Sequence, residues 1–136
     1  MAKGPGIRLF VYGTLMRAEA NHVELAEAIF SHRTRTADGF ELWDLGAYPG
    51  MRRAASGSVA GELFQCTLEQ LPRLDDFEGH PELFRREHIQ LEDGSLAYAY
   101  LCTAETLQHF VVHFCDHNVN LPGKIQLGDW RLRHRR

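Results

Sequence analysis

Asp93-Gly94 lies between two apolar-rich runs, 87–91 and 96–102. An Asp-Gly pair adopts the positive-φ turns that fold one strand back on the next, so this is the clearest hairpin signal in the chain. It commits the C-terminal half to antiparallel pairing and excludes a regular alternation of parallel strands and crossover helices. The other elements are read around it. Residues 7–12 form a short apolar run that reads as a buried strand, ending abruptly at Tyr12-Gly13-Thr14. Residues 21–30 read as a helix, with Asn21 as N-cap and Glu24 at the capping-box position. Residues 34–45 look extended, bent at Gly39, and 58–66 alternate like a strand. Pro49-Gly50 marks a loop between them.

Thr67 with Gln70 opens a turn, and Pro72 places a helix start nearby. That helix is expected to stop at Gly79, a natural residue just past a helix end. A last amphipathic helix is predicted over 106–116, followed by a polar, irregular tail over 120–136. The order is strand, helix, several strands, short helix, hairpin, helix. It predicts an α+β fold, a mixed sheet or small β-barrel with flanking helices.

At 136 residues the chain fits one domain, and nothing in it reads as a linker. A net charge of −3 gives no general attraction to nucleic acid or anionic membrane. The first apolar run contains Arg8 and is too short for a signal peptide or membrane span. Three widely spaced cysteines without a CxxC read as free thiols in a reducing cytoplasm, with Cys66 and Cys102 buried in strands.

Two stretches carry chemistry. At Tyr12-Gly13-Thr14-Leu15 a strand enters a glycine turn, whose successive amide N–H groups can hold a carboxylate or an oxyanion. The same pattern also serves as an ordinary turn. In LDDFEGHPELFRRE, the acids Asp75, Asp76 and Glu78 crowd a helix C-terminus, where the macrodipole disfavours negative charge. Glu78, between Phe77 and Gly79, can meet an apolar wall that raises its pKa and suits it to proton transfer near neutrality. The plain alternative is a solvated acidic helix end.

The blocks VYGTLMRAEANH, LWDLGAYPGM, GELF, LDDFEGHPELFRRE and AYAYL, in that order, resemble the γ-glutamylcyclotransferase-like superfamily. The similarity is greatest to its small bacterial members and the animal γ-glutamylamine cyclotransferases. The resemblance implies a small mixed β-barrel. It also implies a substrate loop at Tyr12, Gly13, Thr14 and Leu15, a catalytic carboxylate at Glu78 and a pocket hydroxyl at Tyr100. The implied reaction is attack of a γ-glutamyl α-amine on its own γ-carbonyl, which releases 5-oxoproline and a free amine. No cofactor or metal is implied. Phe84 stands where relatives carry Tyr, which bears on the identity of the substrate.

Rival readings stay open at this stage. The fold can serve as a non-catalytic γ-glutamyl or small-carboxylate binding module. His109, His113 and His117 recur at helical spacing and can bind a metal, or form only a His-rich surface. The basic run from Trp130 to Arg136 can grip phosphate, or be a solvated tail. The expectation is a small-molecule γ-glutamyl substrate, no nucleic acid or membrane partner, and a monomer.

Overall fold

The Asp93-Gly94 pair closes a hairpin. In the computed structural model, which describes residues 6–46, 48–107, 125 and 128–132, strands β6 (Phe84–Gln90) and β7 (Leu96–Cys102) pair antiparallel. Their register runs from Phe84 opposite Cys102 to Gln90 opposite Leu96. Gly94 takes φ +87°, and the Asp93 carboxylate accepts hydrogen bonds from the Ser95 amide and hydroxyl.

Strand β7 then pairs in parallel with β1 (Ile7–Val11). On its other side β1 pairs antiparallel with β5 (Ala60–Cys66), which in turn pairs with β2 (Ile29–Arg35). The resulting five-stranded sheet has the order β2-β5-β1-β7-β6. Its centre is apolar: Leu9, Phe10 and Val11 of β1 pack with Leu63 and Phe64 of β5 and Ala97, Ala99 and Leu101 of β7, all buried.

The expected barrel is corrected. The sheet has two ends, β2 and β6, and among the described residues only one isolated bridge, Thr36 with Leu91, joins them. A closed barrel requires a continuous hydrogen-bonded ladder all the way round. The fold is mixed α+β, with a five-stranded sheet and a separate two-stranded ribbon.

That ribbon pairs β3 (Phe40–Asp44) with β4 (Pro49–Arg53). Pro49-Gly50, expected in a loop, opens β4. A proline at the first position of a strand in a two-stranded ribbon removes no needed ladder bond. Packing is tight at Gly50: a Cβ there would lie 3.0 Å from both Cys102 Cβ and Leu45 Cδ1, so a neighbour would have to give by a few tenths of an ångström.

The helix expected over 21–30 is also corrected. Only His22–Leu25 is helical, as a single 3₁₀ turn, and Ile29–Arg35 is strand β2. Asn21 does stand at the N-cap of that turn, its carbonyl accepting the Glu24 amide at 3.0 Å, but its side chain makes no cap bond and donates to Thr14 Oγ1 at 2.9 Å. The local pattern is overridden by pairing with β5, a contact no short window can contain.

Helix α1 (Leu71–Glu78) follows the local signals. Gln70 accepts a hydrogen bond from the Thr67 amide at 2.7 Å, and Pro72 occupies the first turn. Gly79 ends the helix at φ +66°, and its amide bonds back to the carbonyls of Asp75 and Asp76.

Residues 104–107 are helical; the rest of the helix expected over 106–116 lies outside the described residues, with His109, His113, Cys115 and His117. Of the tail expected to be irregular over 120–136, only 125 and 128–132 are described, and Trp130–Leu132 form a 3₁₀ turn. Trp130 is buried at 2% exposure in a 3₁₀ turn, and Arg131 reaches inward to Glu62. Both are thereby withdrawn from the basic run; Arg133, His134, Arg135 and Arg136 lie outside the described residues. Cys66 is buried as expected, whereas Cys102 is only partly so. Burial pushes both thiols up to about 11, away from nucleophilic thiolate chemistry. No described helix is long and apolar enough to cross a membrane.

Candidate active site

The C-terminal end of β1 and the C-terminal end of α1 meet across a cavity of about 290 Å³. Tyr12, Gly13, Thr14 and Leu15 form one wall of it, and Glu78 and Tyr100 also line it. The sheet explains the meeting. Strand β1 carries the first wall, its parallel neighbour β7 carries Tyr100, and α1 delivers Glu78 from outside the sheet.

The loop after β1 is held by its own hydrogen bonds. The Met16 amide donates to the Gly13 carbonyl at 3.0 Å, and the Asn21 amide donates to the Thr14 carbonyl at 2.8 Å. Beneath the loop lies Glu62, a fully buried carboxylate. It accepts the Arg17 amide at 2.7 Å and the Arg17 guanidinium at 3.1 Å, with Arg131 at 3.4 Å. Among the described residues, no hydrogen bond engages the amides of Gly13, Thr14 or Leu15. Three residues of the cavity wall thus have amides without a partner among the described residues.

Gly13 has a second, purely steric reason to be glycine. A Cβ there would stand 2.5 Å from Pro49 Cγ and 2.7 Å from Cδ. The proline ring is fixed to its backbone and cannot swing aside. The glycine therefore lets β4 close over the loop.

Tyr12 is buried and its hydroxyl is fully used. It donates to the Tyr100 carbonyl at 2.5 Å and accepts the Met51 amide at 3.3 Å, tying β1 to β7 and to β4.

Glu78 is half-buried at the last turn of α1. Among the described residues, no hydrogen bond or ion pair reaches its carboxyl. Burial disfavours the charged form and pushes its pKa up to about 7. Asp75, one turn earlier, has the opposite fate. Arg86 grips it with two hydrogen bonds, 2.9 and 3.0 Å, and Tyr100 donates to it at 2.6 Å. The Arg86 bond is the main reason the Asp75 pKa falls below the usual carboxylate range. Burial, and then Asp75, push the Tyr100 phenol far above its ordinary value, so it stays protonated. Two carboxyls on one helix face are thus driven apart, one locked as an anion and one poised near neutrality.

Phe84 lines the cavity beside Tyr48, their rings 5.8 Å apart. Phe84 therefore offers the cavity only an apolar edge. Sequence reasoning missed Glu62, the partners of Asp75, and the Asn21–Thr14 bond. Each depends on a partner seven or more residues away, beyond the reach of a local motif; GELF showed only an acid in an apolar strand. Among the described residues, no group of three or more His, Cys, Asp or Glu could hold a metal ion.

A family model described as gamma-glutamyl cyclotransferase, AIG2-like, matches residues 9–132. A putative gamma-glutamylcyclotransferase of Vibrio cholerae is 37% identical over 93 residues, covering 68% of this chain and 79% of that one. The gamma-glutamylaminecyclotransferase of Rattus norvegicus is 33% identical over 96 residues, covering 61% of this chain and 62% of that one. The crystal structure of an AIG2-like protein from Mus musculus superposes with a TM-score of 0.64 at 29% identity, covering 73% of this chain and 78% of that one. The chain belongs to the gamma-glutamyl cyclotransferase, AIG2-like family.

Proposed function

We propose that this protein cleaves a γ-glutamyl amide by internal attack of the α-amine on the γ-carbonyl, releasing 5-oxoproline and a free amine. One observation carries the reading: a carboxyl with a pKa of about 7 shares a cavity with the Gly13, Thr14 and Leu15 amides, and among the described residues neither the carboxyl nor the amides have a hydrogen-bond partner. That is an acid–base group opposite a set of anion-binding donors.

The nucleophile belongs to the substrate, so the protein needs neither a reactive side chain nor an activated water. Its tasks are to curl the glutamyl chain and to move protons. Ionised Glu78 takes a proton from the α-ammonium. The freed amine adds to the γ-carbonyl, closing a five-membered ring and placing negative charge on the oxygen. Amides of the Gly13 loop stabilise that oxyanion or hold the glutamyl group for attack. Protonated Glu78 then delivers its proton to the departing nitrogen as the C–N bond breaks; the restored carboxylate takes the surplus proton from the ring nitrogen and passes it to the released amine, which leaves as an ammonium.

The magnitudes are adequate. Holding two groups of one molecule in attack geometry is worth up to about 7–11 kcal/mol. A general acid–base matched to the working pH adds roughly 10²–10⁴-fold. A carboxyl near 7 is suited to both halves of the cycle, because it accepts and returns a proton with little penalty either way.

A panel of γ-L-glutamyl amides, assayed by chromatography for 5-oxoproline, tests the reading. Catalytic release from at least one amide is expected. Saturable binding of the panel without any release would instead establish a binding module.

A further inference from the structure

We propose that the Asp75–Arg86 pair is a positioning device that fixes the polarity of Tyr100, so that the cavity selects a ligand carrying an ammonium group. The inference rests on the glutamyl-site reading above and assigns the group that receives the α-nitrogen.

The argument turns on one proton. A phenol has a single O–H to donate and lone pairs to accept with. Tyr100 spends its proton on Asp75, at 2.6 Å. Asp75 is an ionised carboxylate held by both of its oxygens on Arg86, so it can only accept and cannot return a proton. What Tyr100 presents to the cavity is therefore an acceptor. A ligand group there must be a donor to avoid an unpaired contact, and an ammonium meets that need while also being attracted to Glu78.

The arrangement is braced against rotation. The Arg86 guanidinium lies over the Tyr98 ring at 5.0 Å, and the Arg86 amide donates to His80 Nδ1 at 3.0 Å. The His80 amide in turn donates to the Asp75 carbonyl at 2.9 Å. Asp75 and Glu78 are three residues apart on α1 and so share a helix face. The same bridge thus sets both the Tyr100 oxygen and the wall that carries Glu78.

Substitution by Asn inverts the logic. Tyr100 and Arg86 Nε share Asp75 Oδ1, while Arg86 Nη2 holds Oδ2; in Asp75→Asn the amide oxygen stays on Nη2, and the NH₂ takes the Oδ1 place, displacing Nε and donating to Tyr100. The phenol then accepts from Asn, and its own proton is released towards the cavity. Tyr100→Phe removes the acceptor while leaving the Asp75–Arg86 charges in place.

L-glutamate and glutarate, which differ only by the α-ammonium, are the probes. Their affinities are measured by calorimetry, independently of turnover. The wild type should prefer L-glutamate. A hydrogen bond involving a charged group predicts that this preference falls about tenfold in both Asp75→Asn and Tyr100→Phe. Adding Asp75→Asn to Tyr100→Phe should reduce it no further. A merely structural brace would weaken both ligands by one factor and leave the ratio unchanged, which overturns the inference. An additive double variant also overturns it, because Asp75 would then act through its own charge. Should Asp75→Asn fail to fold, the Tyr100→Phe ratio decides: an unchanged preference sinks the proposal. Failure of the wild type to bind either probe, with no 5-oxoproline from any amide, sinks the glutamyl reading as well. Turnover by the wild type with an unaltered ratio in the variants sinks this inference alone.

Discussion

Replacing Glu78 with glutamine should stabilise the protein at pH 8 and leave its stability unchanged at pH 4. The Glu78 pKa rises from an ordinary 4.5 to about 7 because burial penalises the ionised form. Below 4.5 the group is protonated in folded and unfolded chains alike, and no penalty exists. Between 4.5 and about 7 the unfolded chain ionises first, so stability falls as pH rises. Above about 7 the folded protein carries the full penalty. At ~1.4 kcal/mol per tenfold, the displacement is worth about 3 kcal/mol. Glutamine keeps the shape and cannot ionise, so it escapes the penalty. Urea unfolding of both proteins at pH 4 and pH 8 reads the difference directly, with every other titrating group held in common. The expected result is a Gln-minus-Glu stability near zero at pH 4 and about 2–3 kcal/mol at pH 8, the lower bound allowing for the carboxyl's partial contact with water. An equal difference at the two pH values would refute the claim that burial raises this pKa. The same value predicts that kcat/KM rises with pH through about 7, since the free enzyme must hold Glu78 as a base.

Two further substitutions probe the walls of the site. Gly13→Ala forces a Cβ to within 2.5 Å of the Pro49 ring and should destabilise by about 1–3 kcal/mol, seen by calorimetry as a Tm lowered by several degrees. Retention of both Tm and turnover would show that β4 can retreat freely. Glu62→Gln leaves Arg17 and Arg131 without their buried counter-charge and should cost about 3 kcal/mol in urea unfolding. That is the low end of the usual range, because both guanidiniums keep some access to water. A loss under about 1 kcal/mol would mean that the carboxylate beneath the loop contributes little.

The parts of this fold legible in the sequence are those governed by neighbours in the chain. Thr67 with Gln70, Pro72, Gly79 and Asp93-Gly94 each act within four residues, and each appears where local rules put it. Residues 21–30 were misleading because pairing with β5, more than thirty residues away, claims Ile29 and Phe30 for a strand. Pro49-Gly50 has the composition of a turn, yet its place is decided by Gly13 and Cys102 packing against it. Closure of the sheet was not legible either, since it depends on how β2 and β6 end in space.

The candidate site shows the same division. Glu78 and the Gly13 loop stand out locally, as an acid at an unfavourable helix end and a strand stopped by glycine. What distinguishes Asp75 from Glu78 is invisible locally: Arg86 and Tyr100, 11 and 25 residues on, bind Asp75 and not Glu78.

The central claim is that Glu78 relays the proton in cyclisation. Its most direct test is the rate of 5-oxoproline formation by folded Glu78→Gln protein, beside the wild type, on an amide that the wild type turns over. A loss of at least about 10²-fold, with the circular dichroism spectrum and the affinity for glutarate largely retained, is predicted. Turnover at the wild-type rate would contradict it.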